Sequence, residues 1–456
     1  MSCEPSPNAL DNRKSHNDSC GAGYGIAIQA AAGGERPRFA SKLWIPFVIL
    51  TMRATTLACK LGLALLIARQ LDLVSLGVFG LAAGVTTIAP VLISLGMVHV
   101  IMRDAVTQPL VQLIDHLQQY WLFTVVIYAL LLVVIAIGSI AFDVSWLFTV
   151  VMAITLLEHL GNDIFQLLTN LDRPVQANTN AFIRGAAWIL IYIPIAILDP
   201  QFRSLLALFG FWLAGSGIAL LHFAWTTRKW PWKPASLFSL QTNWIRTTVR
   251  KASIVYLSDL SFVGSQQIDR YMVTFFLGLP YAGIYFLYWS AANAVSTLVS
   301  IAVLQVERPH LIKAYHDSGV QAHRRLVAQG MKNTVMASTV LSAVTFGAFY
   351  PLVPLLKQPA VGDYLGALIL IMAGMAMRNV ADMGAMALFT AKRDYVMTLT
   401  NVAAVVALVL AQTVLLPLAG LYGGGLAMLV AFGIVTFWRH RLLFRDPALG
   451  RPSTPR

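Results

Sequence analysis

The sequence predicts an all-α integral membrane protein of about twelve transmembrane helices, arranged as two pseudo-symmetric six-helix lobes. Hydrophobic residues make up 57% of the 456 positions and charged residues only 12%, and the mean hydropathy is +0.69. Apolar runs of about 20 residues, enough to cross a hydrocarbon core, recur until the chain is nearly used up. They are continuous rather than alternating, which excludes a β-barrel. A short motif from the first half also returns in the second.

Residues 1–42 are rich in Gly, Ser, Asn, Ala and charge without periodicity, and predict a disordered cytoplasmic tail. No apolar core precedes a small-residue cleavage site, so the tail is not a signal peptide. Six spans follow near 43–68, 76–102, 119–141, 145–171, 175–198 and 203–226, forming an N-lobe over 43–226. Residues 227–251, basic and containing Trp and Pro, read as a cytoplasmic linker between lobes. Six more spans near 252–277, 282–306, 327–350, 364–390, 395–416 and 421–438 make a C-lobe over 252–438. Residues 439–456 read as a basic cytoplasmic tail.

The net charge of +13 sits between apolar spans, so it signals topology rather than nucleic acid. With the N-terminus inside, Arg228, Lys229, Lys233, Arg246, Arg250, Lys251, Arg308, Lys313, Arg324, Arg325, Lys392 and Arg393 all fall on the cytoplasmic side. Arg439, Arg441 and Arg445 join them, whereas the other side receives only Arg69, Arg203 and Lys357. Both termini are therefore expected in the cytoplasm. Cys3, Cys20 and Cys59 form neither a disulfide framework nor a metal-ligand spacing. No HExxH, GxSxG, phosphate-binding Gly loop or Cys/His cluster is present, and the outer loops are too short for a catalytic domain, so no enzyme and no bound cofactor are expected.

The repeat supports the two lobes. Leu71, Leu73, Gly77 and Phe79 return 206 positions later as Leu277, Leu279, Gly283 and Tyr285. Arg173 returns 220 positions later as Arg393. The same offsets place Arg53 over Asp259 and Glu158 over Arg378, so facing lobes would line a shared cleft with opposite charges.

The polar residues inside the spans are the candidate site. An Asp or Arg at the centre of a bilayer helix costs about 2.5–3.5 kcal/mol on insertion scales, so such residues usually face a bundle interior or wet cavity. The seventh span carries Asp259, Gln266, Gln267, Asp269 and Arg270. Gln266 and Arg270 each fall within about 20° of Asp259 on a helical wheel, as one stripe. The first span carries Arg53 and Lys60, seven apart, with no acidic neighbour in the same helix: a basic wall suited to phosphate. Pairing with Asp259 or Glu158 for packing alone is the plainer alternative. The fourth span carries Glu158, His159, Asn162 and Asp163, with His159 and Asp163 on one face. A carboxylate held away from water can exchange a proton or sodium ion, and a packing hydrogen bond is the duller reading for His159. Arg378 and Asp382 in the tenth span can bridge locally. Arg184, with Asn178 and Asn180, would extend the cavity toward the cytoplasm.

Three segments together resemble a known family. They are Asp269-Arg270 followed by Leu277-Gly278, Gly283 and Tyr285; Ala68-Arg69 through Leu73, Gly77 and Phe79 to Leu95-Gly96; and Leu421-Tyr422-Gly423-Gly424-Gly425-Leu426-Ala427. Over roughly 43–440 the chain is similar to the polysaccharide-repeat-unit (Wzx-type) flippases of the multidrug/oligosaccharidyl-lipid/polysaccharide (MOP) exporter superfamily. That resemblance implies a V-shaped pair of lobes, rocker-switch alternating access and a cationic cavity for an undecaprenyl-diphosphate-linked oligosaccharide. It also implies coupling to H+ or Na+, membrane lipid as surroundings, and a polysaccharide polymerase and export machinery as partners. Arg53, Lys60 and Arg270, with Arg378 and Arg184, would hold diphosphate and glycan. Asp259, Asp269, Glu158, His159, Asp163 and Asp382 would compensate those cations or bind the coupling ion. The chain departs from the pattern in its long N-terminal tail and in carrying Asp72 at the first-lobe counterpart of Gly278. A drug/cation antiporter of the same superfamily should favour acidic residues without a basic wall. A glycan polymerase or ligase would need a large outer loop, and a peptidoglycan-precursor flippase additional helices.

Overall fold

A computed structural model describes residues 39–105, 108–142, 146–232 and 241–445. Most of the expected N-terminal tail, residues 233–240 of the linker and the chain beyond Arg445 lie outside the described residues. The chain divides into two compact units, Met1–Thr51 and Met52–Arg456. The described part of the first is helical; the cavities and interhelix contacts discussed lie within the second.

Among the described residues every regular element is a helix. The first half holds α1 (Phe39–Gln70), α2 (Leu73–Ser94), α3 (Met97–Asp104), α4 (Leu110–Phe142), α5 (Trp146–Asn170), α6 (Pro174–Phe182), α7 (Trp188–Leu198) and α8 (Leu205–Thr226). The second holds α9 (Thr242–Leu277), α10 (Leu279–Val299), α11 (Gln305–Lys313), α12 (Gly319–Phe349), α13 (Pro359–Asp363), α14 (Leu365–Thr390), α15 (Asp394–Ala419) and α16 (Leu421–Arg445). Single π-helical turns, Ile183–Ala187 and Ser300–Leu304, join α6 to α7 and α10 to α11.

Ten segments among the described residues are long and apolar enough to cross a membrane, against about twelve expected spans. The difference has a physical origin. Leu279–Leu356 is a single 78-residue segment that contains both α10 and α12. The helix α9 carries too many charged and amide side chains to qualify. It also begins at Thr242, so it takes in Arg246, Arg250 and Lys251, which the sequence reading placed in the linker. Likewise α16 continues to Arg445, and Arg439 is not in a solvated tail: it is 2% exposed. Its guanidinium donates to Thr400 Oγ1 (3.0 Å), the Ala381 carbonyl (2.7 Å) and Asn401 Oδ1 (2.5 Å). Buried Leu443, one turn further on, keeps that helix face apolar beyond the charge.

The repeat is reproduced in backbone geometry. Asp172 and Lys392 both adopt left-handed φ (56° and 57°). Immediately after them, Arg173 N–H donates to the Leu168 carbonyl and Arg393 N–H to the Leu388 carbonyl, the six-to-one bond of a Schellman stop in each half. The Asp72/Gly278 departure also resolves. Both residues are the N-cap of the second helix of their half. Asp72 is extended and its carboxylate accepts from Ser75 N–H, whereas Gly278 turns the chain with φ +91°, open to a residue without Cβ.

The halves meet through two glycines at equivalent positions. A Cβ on Gly77 would lie 2.5 Å from the Leu279 carbonyl oxygen, and one on Gly283 would overlap the Leu73 carbonyl. Each glycine thus admits a backbone carbonyl from the opposite half, and the two contacts exchange under the 206-residue repeat. Phe79 and Phe286 close the same interface edge-to-face, with ring centroids 5.7 Å apart.

Gly77→Val and Gly283→Val should each lower the thermal midpoint of the purified protein in detergent by the equivalent of roughly 1–3 kcal/mol, the usual cost of overpacking. Gly210→Ala, where an added Cβ meets nothing within 4 Å, should leave the midpoint unchanged or slightly raised.

Candidate functional site

Two adjoining cavities lie between the halves, of about 530 Å³ and 370 Å³. Leu57, Lys60, Asn162, Arg184, Gln266 and Asn293 border both, forming the waist between them. The wider cavity is reached from α1, α6 and the π turn after α10, and the narrower one lies deeper, against α2, α5, α8 and α10.

Five cationic side chains line these cavities (Arg53, Lys60, Arg184, Arg270 and Arg378) against two carboxylates, Glu158 and Asp382. The carboxylates are already engaged. Glu158 Oε2 pairs with Arg184 at 3.0 Å, and its Oε1 accepts from Trp212 Nε1 (2.9 Å) and Ser216 Oγ (2.8 Å). The π turn that breaks α6 from α7 carries Arg184, which also donates to the Glu158 carbonyl (2.6 Å) and Asn162 Oδ1 (2.8 Å). Asp382 Oδ2 lies 3.8 Å from Arg378 Nε, one helical turn away as the spacing implied.

That leaves three cations without a carboxylate in ion-pair reach among the described residues, Arg53, Lys60 and Arg270. Arg53 donates from Nε to Asn178 Oδ1 at 3.1 Å and makes no ion pair among the described residues. Lys60 is exposed to the cavities and makes no hydrogen bond or ion pair among them. Neither makes an ion pair with Asp259 or Glu158 among the described residues. Arg270 is different again. It is 2% exposed, donates to the Gly80 carbonyl at 2.9 Å, and lies over the Trp289 ring at 4.0 Å.

Four of the expected residues are not at the cavities. Asp259 turns away from Gln266 and Arg270 and pairs with His99. The cause is α3: left-handed Leu95 and Gly96 (φ 48° and 74°) break α2 and set the short helix against α9. A Cβ on Gly96 would stand 3.1 Å from the Cβ atoms of Ala252 and Tyr256. The expectation that Arg53 and Asp259 face each other across the cleft is therefore corrected. Asp269 accepts from Tyr285 OH at 2.7 Å inside the second half. His159 is buried with Tyr120 OH 2.8 Å from Nε2 and Tyr128 OH 3.3 Å from Nδ1, while Asp163 accepts from Trp121 Nε1 at 3.2 Å.

The sequence reading missed His99 and Gln305. Both were accessible, because the 206-residue offset maps the His99–Asp259 pair onto Gln305 and Arg53. On one side of the pseudo-two-fold, α3 and α9 are joined by that pair. On the other, Gln305 and Arg53 both line the wider cavity with no hydrogen bond between them, so the cavity reaches the gap between α1 and the α10–α11 junction. Trp188, Trp212 and Trp289 were also missed as cavity walls, since aromatic residues in apolar runs carry no signal of their own.

No family model and no curated protein matches the chain. Solved structures do. A multidrug resistance MATE family transporter of the MOP superfamily, in its inward-facing conformation, is similar with TM-score 0.61 at 14% identity, over 90% of this chain and 99% of that one. An outward-facing structure of such a transporter gives 0.54 at 13% identity, over 88% and 95%. A MOP superfamily transporter from Pyrococcus furiosus, described as having a binding pocket of reverse polarity that suggests a different function, gives 0.52 at 14%, over 90% and 96%. The chain shares the fold of these transporters, which are not enzymes.

Arg184→Ala should strand the Glu158 carboxylate and lower the thermal midpoint in detergent by the equivalent of about 3–5 kcal/mol. Lys60→Ala, which breaks no hydrogen bond or ion pair among the described residues, should leave the midpoint within error of wild type.

Proposed function

We propose that this protein is a flippase carrying undecaprenyl-diphosphate-linked oligosaccharide repeat units across the bacterial inner membrane by alternating access, for exopolysaccharide, O-antigen or capsule assembly. The observation that carries the reading is the uncompensated positive charge of the cavities: five cations, two carboxylates, both carboxylates engaged, and Arg53 and Lys60 without an acidic partner. A diphosphate cannot enter hydrocarbon unaided, whereas its polyprenyl tail prefers to remain there. A cavity with free cations at depth and a gap beside α1 meets both needs. Arg53 supplies a planar fork suited to bidentate phosphate contact and Lys60 a mobile point charge at the waist.

Coupling to H+ or Na+ belongs to the same proposal. Its candidate residues are the enclosed carboxylates off the cavity, Asp163 beside His159 and Asp269 beside Tyr285. So do the orientation with both termini in the cytoplasm, the surrounding membrane lipid, and a polysaccharide polymerase and export machinery as partners. The second reading is a drug/cation antiporter, favoured by the multidrug transporters that share the fold. The basic cavity weighs against it, because a cationic drug would meet a lining in which five cations outnumber two carboxylates.

In a strain lacking its own flippase, wild type should restore glycan export, and Arg53→Ala and Lys60→Ala should each reduce it at least tenfold with protein still in the membrane. Normal export by both variants, or drug resistance conferred without glycan export, would overturn the proposal.

A further inference from the structure

The deeper cavity has a composition that the diphosphate does not explain. Its walls include Phe79, Trp188, Trp212, Phe286 and Trp289. They form continuous ring contacts across the junction of the halves: Trp188 stacks on Trp212, Phe79 leans on Trp212 and meets Phe286 edge-on, and Phe286 stacks on Trp289. Set among these rings are three buried polar atoms without a hydrogen-bond partner, Gln267 Oε1, Arg270 Nε and Trp289 Nε1. All three belong to side chains that line this one cavity, and each is at least nine-tenths buried. A buried donor or acceptor left unpaired is costly, so three on one wall call for a further partner, a water or a ligand group.

The chemistry of that ligand follows. Two N–H donors and one carbonyl acceptor suit hydroxyl or acetamido groups, which both donate and accept. Aromatic side chains suit the apolar C–H face of a ring where they border the cavity, although Arg270 already covers one face of Trp289. Arg270 and Lys60 disfavour a cation. The size fits too: about 370 Å³ is toward the small end of the roughly 300–1,000 Å³ of ligand pockets.

We infer that the deeper cavity is the subsite for the sugar ring next to the diphosphate, with Gln267, Arg270 and Trp289 as its polar contacts and Lys60 at the waist as the boundary between sugar and diphosphate. This rests on the flippase reading and adds the ligand's orientation: diphosphate at Arg53 and Lys60, glycan inward against the aromatic wall, polyprenyl chain outward beside α1.

The test is a titration of the purified full chain in detergent, followed by isothermal calorimetry. The probes are geranyl diphosphate and its N-acetylglucosaminyl, glucosyl and galactosyl derivatives. At least one glycosyl form should bind tenfold or more tighter than geranyl diphosphate. Trp289→Phe, which keeps the ring and removes its N–H, and Gln267→Met should each erase that gain while leaving geranyl diphosphate affinity within twofold. Each variant's thermal midpoint establishes that it is folded, and either folded variant suffices for the decision. A gain that persists in the folded variants, or no gain for any glycosyl form, overturns the sugar subsite while the flippase reading stands. Failure of geranyl diphosphate itself to bind wild type, or binding unaffected by Lys60→Ala, overturns the flippase reading and the subsite with it.

Discussion

The arrangement depends on one close approach: the carbonyls of Leu73 and Leu279 each reach the opposite half where a glycine leaves room. Without a Cβ at Gly77 and Gly283, α2 and α10 pack backbone to backbone and bring Phe79 against Phe286. In lipid, such van der Waals contact between small residues is a main source of helix association, since burying apolar side chains gains little there. Because the halves are pinned near the starts of α2 and α10, the space between them opens elsewhere, along α1, α5 and α10.

Within that space, charge is distributed unevenly for a geometric reason. Each carboxylate on the cavity is taken by an arginine of its own half, Glu158 by Arg184 and Asp382 by Arg378. Local pairing of this kind consumes every acid on the walls and leaves the α1 cations unmatched. An ion pair that joins the halves, His99 with Asp259, lies off the cavities on the α3–α9 side. Its repeat equivalents, Gln305 and Arg53, are not oppositely charged and form no such pair.

Much of this was legible in advance, and the failures have identifiable causes. Most span positions followed from apolar length, although the span expected over 76–102 is broken at Leu95–Gly96, and the repeat followed from Leu-x-Leu-x-x-x-Gly and the Arg173/Arg393 offset, because those features are local. The stripe Asp259–Gln266–Arg270 held for its last two members and failed for the first, since a helical wheel gives direction on one helix and says nothing of a break at Leu95–Gly96 that moves a neighbour beside it. Arg439 was misplaced for a similar reason: charge near a chain end resembles a tail until neighbouring helices supply three acceptors for it.

The sequence by itself determined that the chain spans a membrane as helices, that its two halves are related, and that cations sit within apolar runs. Those properties depend on residue type and spacing along the chain, which a hydrocarbon surround constrains directly. Only the tertiary structure decided which charges are free and which are engaged, because that depends on side chains far apart in sequence arriving within hydrogen-bond reach. Arg184 and Glu158 are 26 residues apart and Trp212 is 54 from Glu158, yet together they neutralise the acid that could otherwise have paired with Lys60.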